Sequence, residues 1–143
     1  MIIPDVNLLL YAYDSSSGFH GQAKAWCERI MSGPEPVVLL PVVIFGFVRI
    51  STHARVYANP LRAEEAAACV EEWLARSHVL VADMIGEDVV NALGLLAKAG
   101  TAGNLTSDAQ IAAVAMRLSA QVHTADLDFG RFAGVRAVYP LQG

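Results

Sequence analysis

The hydrophobic positions of this chain alternate between short apolar runs and longer stretches with helical spacing. The short runs are bounded by proline, glycine or polar residues, which is typical of buried strands. They predict strands at 1–3, 37–40, 79–81, 122–124 and 136–138. The spacing between them predicts helices at about 6–13, 20–31, 42–53, 63–75, 87–99 and 109–119, with a short helical turn at 127–132. This alternation predicts an α/β fold, in which a mostly parallel sheet is covered by helices on both faces.

Composition supports one well-packed domain over residues 1–143. Hydrophobic residues make up 55% of the chain and charged residues only 17%, which excludes a disordered protein. The longest apolar stretch, residues 36–48, is too short to cross a bilayer and contains Pro41. No cationic region precedes the first apolar residues, and the two cysteines follow no metal-binding spacing. We therefore expect a cytoplasmic protein that does not bind membranes.

The net charge limits how this protein could bind nucleic acid. It is −4, with an isoelectric point near 5.4, so bulk positive charge cannot neutralise phosphates. Binding would need a local basic strip, a metal or a partner. Arg49, His53 and Arg55 could form such a strip. Cations that face solvent near a helix C-terminus explain the same residues equally well.

Carboxylates stand at three predicted helix starts, and each has a structural explanation. Asp5 follows a strand and could accept hydrogen bonds from the first free amides of a helix. Asp108 follows Ser107, which fits a capping box with a glutamine three residues later. Asp126 could cap the helical turn that follows it. Aspartate is among the preferred helix-start residues, so each one taken alone favours capping.

Taken together, the same carboxylates predict a metal site. In an open parallel sheet, strand C-termini and helix N-termini line one edge, where ligands bind. Asp5, Asp108 and Asp126 would repel one another there unless a cation intervened, and Mg²⁺ or Mn²⁺ suits oxygen ligands. The expected chemistry is attack of a metal-activated water on a phosphodiester. Asn7 could orient a water or phosphate in contact with substrate, and Thr124 could bind substrate or hydrogen-bond a carboxylate.

Three segments resemble the PIN-domain family, specifically the VapC-type toxins of toxin–antitoxin pairs. They are DVNLL at 5–9, GNLTSDA at 103–109 and TADLDF at 124–129; GFVRIST at 46–52 and NPL at 59–61 are similar to the mycobacterial branch. The resemblance covers essentially the whole chain.

The resemblance implies a single three-layer α/β/α PIN domain. It also implies a Mg²⁺-dependent endoribonuclease, neutralised by a VapB-like antitoxin and forming a homodimer. It transfers metal binding to Asp5 and Asp108, with Asp126 as a further ligand, and active-site roles to Asp126 and Asp128. Arg49 is expected to bind the RNA substrate.

One segment departs from the family pattern. PIN domains commonly carry a glutamate in the helix after the second strand, whereas residues 42–53 contain none, and Gly46 occupies roughly that place. Asp128 or water could substitute for the missing ligand. The same segment is apolar nearly all round, so most of Phe45, Phe47 and Val48 is predicted to be buried, with a subunit contact as the alternative.

Two other function classes remain open from the sequence. A small phosphohydrolase or receiver-like protein would use Asp5 itself as nucleophile. Such phosphohydrolases usually have a second acid two residues after the nucleophile, where this chain has Asn7. Receiver domains have a lysine after a late strand, and no lysine follows Val138. The other class is a PIN-like scaffold that lost activity with its glutamate and only binds RNA or a partner.

Overall fold

The fold was described from a computed structural model, in which residues 1–142 are defined. The strands are β1 (Ile2–Pro4), β2 (Val37–Leu39), β3 (Val79–Val81), β4 (Gln121–His123) and β5 (Arg136–Val138). The α-helices are α1 (Val6–Tyr13), α2 (His20–Met31), α3 (Pro41–Ser51), α4 (Ala63–Leu74), α5 (Gly86–Ala99) and α6 (Thr106–Leu118). Short 3-10 helices lie at Gly103–Leu105 and Leu127–Arg131. The predicted alternation of strands and helices is confirmed.

Within residues 1–142 the five strands form one fully parallel sheet in the order β3-β2-β1-β4-β5. Strand β1 is central, with Ile2 opposite Val37 on one side and Pro4 opposite His123 on the other. The chain builds outward from β1 in one direction through β2 and β3, and in the other through β4 and β5. The C-terminal ends of β1 and β4 therefore flank the point where the strand order reverses, which is where such sheets bind ligands.

Aromatic side chains connect the helices of the core. Tyr13 of α1, Phe47 of α3 and Trp73 of α4 pack edge to face, with ring centroids 4.9 to 5.8 Å apart. The Trp26 indole N–H donates to Nδ1 of His123, at 2.9 Å. Trp26 and Trp73 are 1% and 2% exposed, so both are core residues. Between residues 1 and 142, no helix combines the length and apolar character that a bilayer crossing demands.

The predicted start of α6 is wrong in one respect. Ser107 does not cap the helix, because α6 begins at Thr106 and its N-cap position is Leu105, whose side chain makes no capping hydrogen bond. The 3-10 helix Gly103–Leu105 leads directly into α6, so the chain is already helical before Ser107. Asp108 consequently lies inside the first turn of α6, at its third residue.

Candidate active site

Asp5 is fixed at the junction between β1 and α1. Its backbone N–H donates to the His123 carbonyl at 2.8 Å, which continues the pairing of β1 with β4 beyond Pro4. Its Oδ1 accepts the Val6 N–H at 2.7 Å, so Asp5 is the N-cap of α1, as predicted. The side chain is only 4% exposed. Burial, together with the charge of Asp126, outweighs these hydrogen bonds and raises the pKa of Asp5.

The other carboxylate oxygen of Asp5 connects it to the loop after β4. Oδ2 accepts the Thr124 hydroxyl at 2.7 Å and the Asn7 amide at 3.2 Å. Thr124 Oγ1 also accepts the Asp126 N–H at 2.9 Å, and Asn7 Oδ1 accepts the Ala125 N–H at 3.2 Å. Thr124 is 0% exposed, so its hydroxyl supports Asp5 and has no surface for contact with RNA. Asn7 is half-buried and ties the same loop to α1.

Asp108 is a buried carboxyl that lacks a cationic partner. It is 8% exposed, and among residues 1–142 no basic group forms an ion pair with it. Burial raises its pKa to about 8, aided by the negative charges of Asp5 and Asp126, by a hydrogen bond with the Asp126 carboxyl, and by the charge of Asp128. The structure therefore brings Asp5, Asp108 and Asp126 together, as the sheet-edge argument predicts.

Asp126 and Asp128 lie at the start of the 3-10 helix Leu127–Arg131. The Asp126 Oδ1 accepts the Asp128 N–H at 2.8 Å, so Asp126 caps this turn as expected from the sequence. Asp126 is half-buried, whereas Asp128 is exposed. Capping and electrostatic coupling thus coexist at Asp126, while the Asp128 side chain faces solvent.

A cleft of about 530 Å³ opens beside Asp5 and Asp108. Its wall on one side is the face of α3 that carries Phe45, Gly46 and Arg49, and Asp5 and Asp108 line it opposite. The described lining includes neither Asp126 nor Asp128. Of the three cations in the predicted basic strip, Arg49 reaches this cleft.

The carboxylates of the site fit a hard divalent cation that takes few ligands from the protein. Among residues 1–142, no three histidine, cysteine, aspartate or glutamate side chains are arranged to hold a metal together. The three-carboxylate cage predicted from sequence is therefore not preassembled. Mg²⁺ is usually bound through one or two carboxylates and keeps several waters. Asp5 and Asp108 meet that need, and their mutual repulsion is what a cation would relieve.

Comparison with known proteins decides the family. The sequence model of the PIN domain family matches residues 2–135 of this chain. This chain is a PIN-domain protein. It is 43% identical to Ribonuclease VapC33 of Mycobacterium tuberculosis over 142 residues, 99% of each chain, which makes it a VapC-type PIN domain. Mycobacterium tuberculosis VapC20, described as a sarcin–ricin loop cleaving toxin, superposes with a TM-score of 0.70 at 22% identity, over 95% of this chain and 99% of that one. VapBC2 from Rickettsia felis, bound to a DNA fragment from its promoter, gives 0.67 at 17% identity, over 96% and 98%.

This PIN domain has an open position where the family commonly has a glutamate. Helix α3 carries no acidic residue, and Gly46 lies in the cleft wall beside Val6. A Cβ added at Gly46 would meet only the Val6 side chain, at 3.6 Å, which is an ordinary contact. The absence of a carboxylate there is thus a property of the sequence and is not forced by crowding.

Sequence reasoning missed the position of Phe45. Burial was predicted for most of this segment and is correct for Phe47, which is 0% exposed, but Phe45 is 67% exposed. Helix α3 packs mainly against α1 and α4, and these contacts leave Phe45 exposed. The sequence did contain a signal for this exposure. Arg49 lies four residues after Phe45 and hence on the same face of the helix, and a charged residue on a face indicates that the face is open to solvent.

Proposed function

We propose that this protein is a Mg²⁺-dependent endoribonuclease and the toxin of a VapBC-like pair. The observation that carries the proposal is Asp108, a buried carboxyl without a cationic partner beside Asp5 and Asp126. Unpaired buried acids that raise one another's pKa are costly to a fold and are characteristic of functional sites. The relatives supply the reaction class, because the homologue that is 43% identical over the whole chain is named a ribonuclease.

Asp5 and Asp108 are the residues proposed to hold the metal, with Asp126 contributing directly or through a water. When bound, Mg²⁺ would lower the pKa of a water and stabilise the negative charge that develops on the scissile phosphate. Mn²⁺ has the same preference for oxygen ligands and is the expected substitute.

The other residues are proposed to orient this centre and the RNA. Thr124 and Asn7 hold Oδ2 of Asp5, and because they stabilise the charged form they counteract part of the effect of burial. Arg49 would hold an RNA phosphate in the cleft, which provides locally the positive charge that the whole protein lacks. Asp128, exposed beside Asp126, would accept a proton or orient a water in the absence of the α3 glutamate.

The proposed partner is a VapB-like antitoxin, and the proposed assembly is a homodimer. Solved toxin–antitoxin complexes share the fold, including the Rickettsia felis VapBC2 complex. An antitoxin that covers the cleft beside Asp5 and Asp108 would block RNA and supply the missing positive charge.

The purified protein should cleave RNA with Mg²⁺ or Mn²⁺ and stop when EDTA is added. Asp108→Ala should lose this cleavage while it keeps its circular dichroism spectrum. Glu71→Gln, which neutralises an exposed carboxylate on α4, is the matched control and should cleave normally. Equal cleavage in EDTA, or full activity of Asp108→Ala, would contradict the proposal. In cells, induced expression should arrest growth for the natural sequence and not for Asp5→Asn.

A second candidate is a PIN scaffold that binds RNA or a partner without cutting it. It is favoured by Gly46 and by the lack of three preassembled ligands within residues 1–142. Calorimetry with Mn²⁺ separates the two: binding that Asp108→Ala abolishes supports the nuclease, and binding that this variant leaves unchanged supports the scaffold. The phosphohydrolase alternative is weaker, since Asn7 stands where such enzymes usually have a second acid.

A further inference from the structure

A large aromatic side chain stands exposed in the wall of the cleft that holds the two buried acids. Phe45 is 67% exposed, although it lies in one of the most apolar helices of the chain. Gly46 follows it and adds no side chain to the wall, so nothing from that position covers the ring. Leaving an aromatic ring in water costs free energy that burial in the core would recover, as Phe47 shows. The exposed ring is therefore free to contact a ligand that enters the cleft.

The surroundings of Phe45 define the chemistry of that ligand. Arg49 lies one helical turn further along α3 and lines the same cleft. The cleft thus offers an apolar ring, a guanidinium one turn away and, opposite, the carboxylates of Asp5 and Asp108. A group with a flat π-face joined to a phosphate satisfies the ring and the guanidinium together. The cleft has a volume of about 530 Å³, which lies within the range of pockets that enclose small ligands.

We propose that Phe45 stacks on one unpaired base of the RNA substrate while Arg49 holds a neighbouring phosphate. This inference rests on the proposed ribonuclease function and deepens it, because it names the two side chains that would hold an unpaired base and its phosphate. Bases within an A-form helix are stacked on each other and cannot lie on a protein ring, whereas unpaired bases can.

A contact between two copies of the chain is the other use of an exposed phenylalanine. The cleft disfavours it, because the same surface contains buried carboxylates without a cationic partner, and charged groups are depleted at the centres of protein interfaces. Arg49 on the same face adds a further charge that such a contact would have to desolvate. The oligomeric state is therefore measured as part of the test.

The test uses full-length protein that carries Asp5→Asn, so that RNA is bound without being cut. A short single-stranded RNA containing 2-aminopurine serves as probe, because stacking on an aromatic ring quenches its fluorescence. We expect quenching with Phe45 and Phe45→Trp, and an affinity about ten- to hundredfold lower, without quenching, for Phe45→Ala. Phe45→Leu keeps an apolar side chain without a π-face and should also lose the quenching. Val90→Ala removes a similarly exposed apolar side chain of α5 outside the cleft and should change nothing.

The salt dependence of RNA binding distinguishes the phosphate contact of Arg49 from the stacking of Phe45. Arg49→Gln should lower the slope of log K against log salt concentration by about 0.7, the value for one phosphate contact with a single strand. Phe45→Ala should leave that slope unchanged, because stacking releases no counterions. A change of slope with Phe45→Ala would overturn the assignment of stacking to this ring.

Three results would overturn the inference without touching the proposed function. They are unchanged affinity and quenching in Phe45→Ala, failure of the Phe45 protein to bind the probe, and a shift of Phe45→Ala from dimer to monomer in sedimentation. In each case the metal-dependent cleavage by protein with an intact Asp5 is measured separately. If that cleavage is absent while the Phe45 variants behave as expected, the proposed function fails and the RNA-binding cleft stands.

Discussion

Two buried aspartates occupy equivalent places in neighbouring helices and have opposite surroundings. Asp88 is the third residue of α5, and Asp108 is the third residue of α6. Asp88 is 0% exposed, accepts the Ile85 N–H at 2.9 Å and pairs with Nε of Arg117 at 2.9 Å. Burial opposes ionisation of Asp88, but Arg117 and the Ile85 N–H outweigh it, and the pKa is lowered.

Asp108 receives no such compensation. Its closest charged neighbours are acids, and its pKa is raised to about 8. The difference teaches that burial and helix position alone do not assign a role to an acid. Asp88 is neutralised within the chain and holds two helices together, since Arg117 belongs to α6. Asp108 has no cationic partner within residues 1–142, so a bound cation would have to neutralise it.

The largest expected effect is on cleavage. Asp108→Asn should lower the rate of RNA cleavage by about a hundredfold or more, because it removes a metal ligand from a site with few others. Asp88→Asn should cleave within a few-fold of the natural protein when assayed at a temperature at which both are folded. If Asp88→Asn lost activity equally, the division into structural and functional acids would be wrong.

The second effect is on stability, and here the Asp88 variant should lose more than the Asp108 variant. Asp88→Asn should lower the free energy of unfolding by about 2 kcal/mol, as it leaves Arg117 without its partner. This value is below that for a fully buried pair because the Arg117 side chain is 25% exposed. Asp108→Asn should instead raise the stability at neutral pH in the absence of metal, since the folded natural protein must hold a proton on the buried Asp108 carboxyl that the unfolded chain releases. Urea denaturation in EDTA measures both, and the same sign for the two variants would contradict the comparison.

Much of this arrangement could be predicted from the sequence. The apolar runs predicted the strands, and the topology of a parallel sheet then placed Asp5 and Asp126 at one edge. The capping roles of both followed from their positions after strands. The partner of Asp88 could not be foreseen, because Arg117 lies 29 residues later and on another helix. The size of the pKa shift at Asp108 depends on its burial and on its distances to three acids, which no local pattern encodes.

Two errors have a common physical origin. Ser107 was assigned as a cap because its spacing to a glutamine fits, but the preceding 3-10 helix already supplies helical geometry. Burial was predicted for most of Phe45, Phe47 and Val48 because their segment is apolar nearly all round, but the elements packed against α3 leave Phe45 exposed. In both cases the outcome was set by elements outside the motif.

A third prediction concerns pH. The folded state keeps the proton of Asp108 up to about pH 8, whereas an unfolded aspartate loses it near 3.8. Between these values the unfolded state binds fewer protons, so the free energy of unfolding falls as pH rises, by up to about 1.4 kcal/mol per pH unit. Thermal melts from pH 5 to pH 8 in EDTA should show this decline, and Mg²⁺ should reduce it. An equally steep decline in Asp108→Asn would mean that another group is responsible.

The smallest expected effect is at Thr124. Thr124→Val preserves shape but removes the hydroxyl that donates to Asp5, so the pKa of Asp5 should rise further and metal affinity should fall about tenfold. Thr124→Ser retains the donor and is the control. Calorimetric titration with Mn²⁺ measures both variants, and equal affinity for valine and serine would show that the hydroxyl does not matter.

The hydrogen bond between Thr124 and Asp5 also has a consequence for the time at which the protein becomes active during its synthesis. The two residues are 119 positions apart, and the pairing of central strand β1 with β4 spans the same distance. A growing chain therefore has Asp5 from the start but cannot hold it in place until residues 121–126 have been added. The centre of a nuclease built in this way therefore cannot form during translation until those residues have been made.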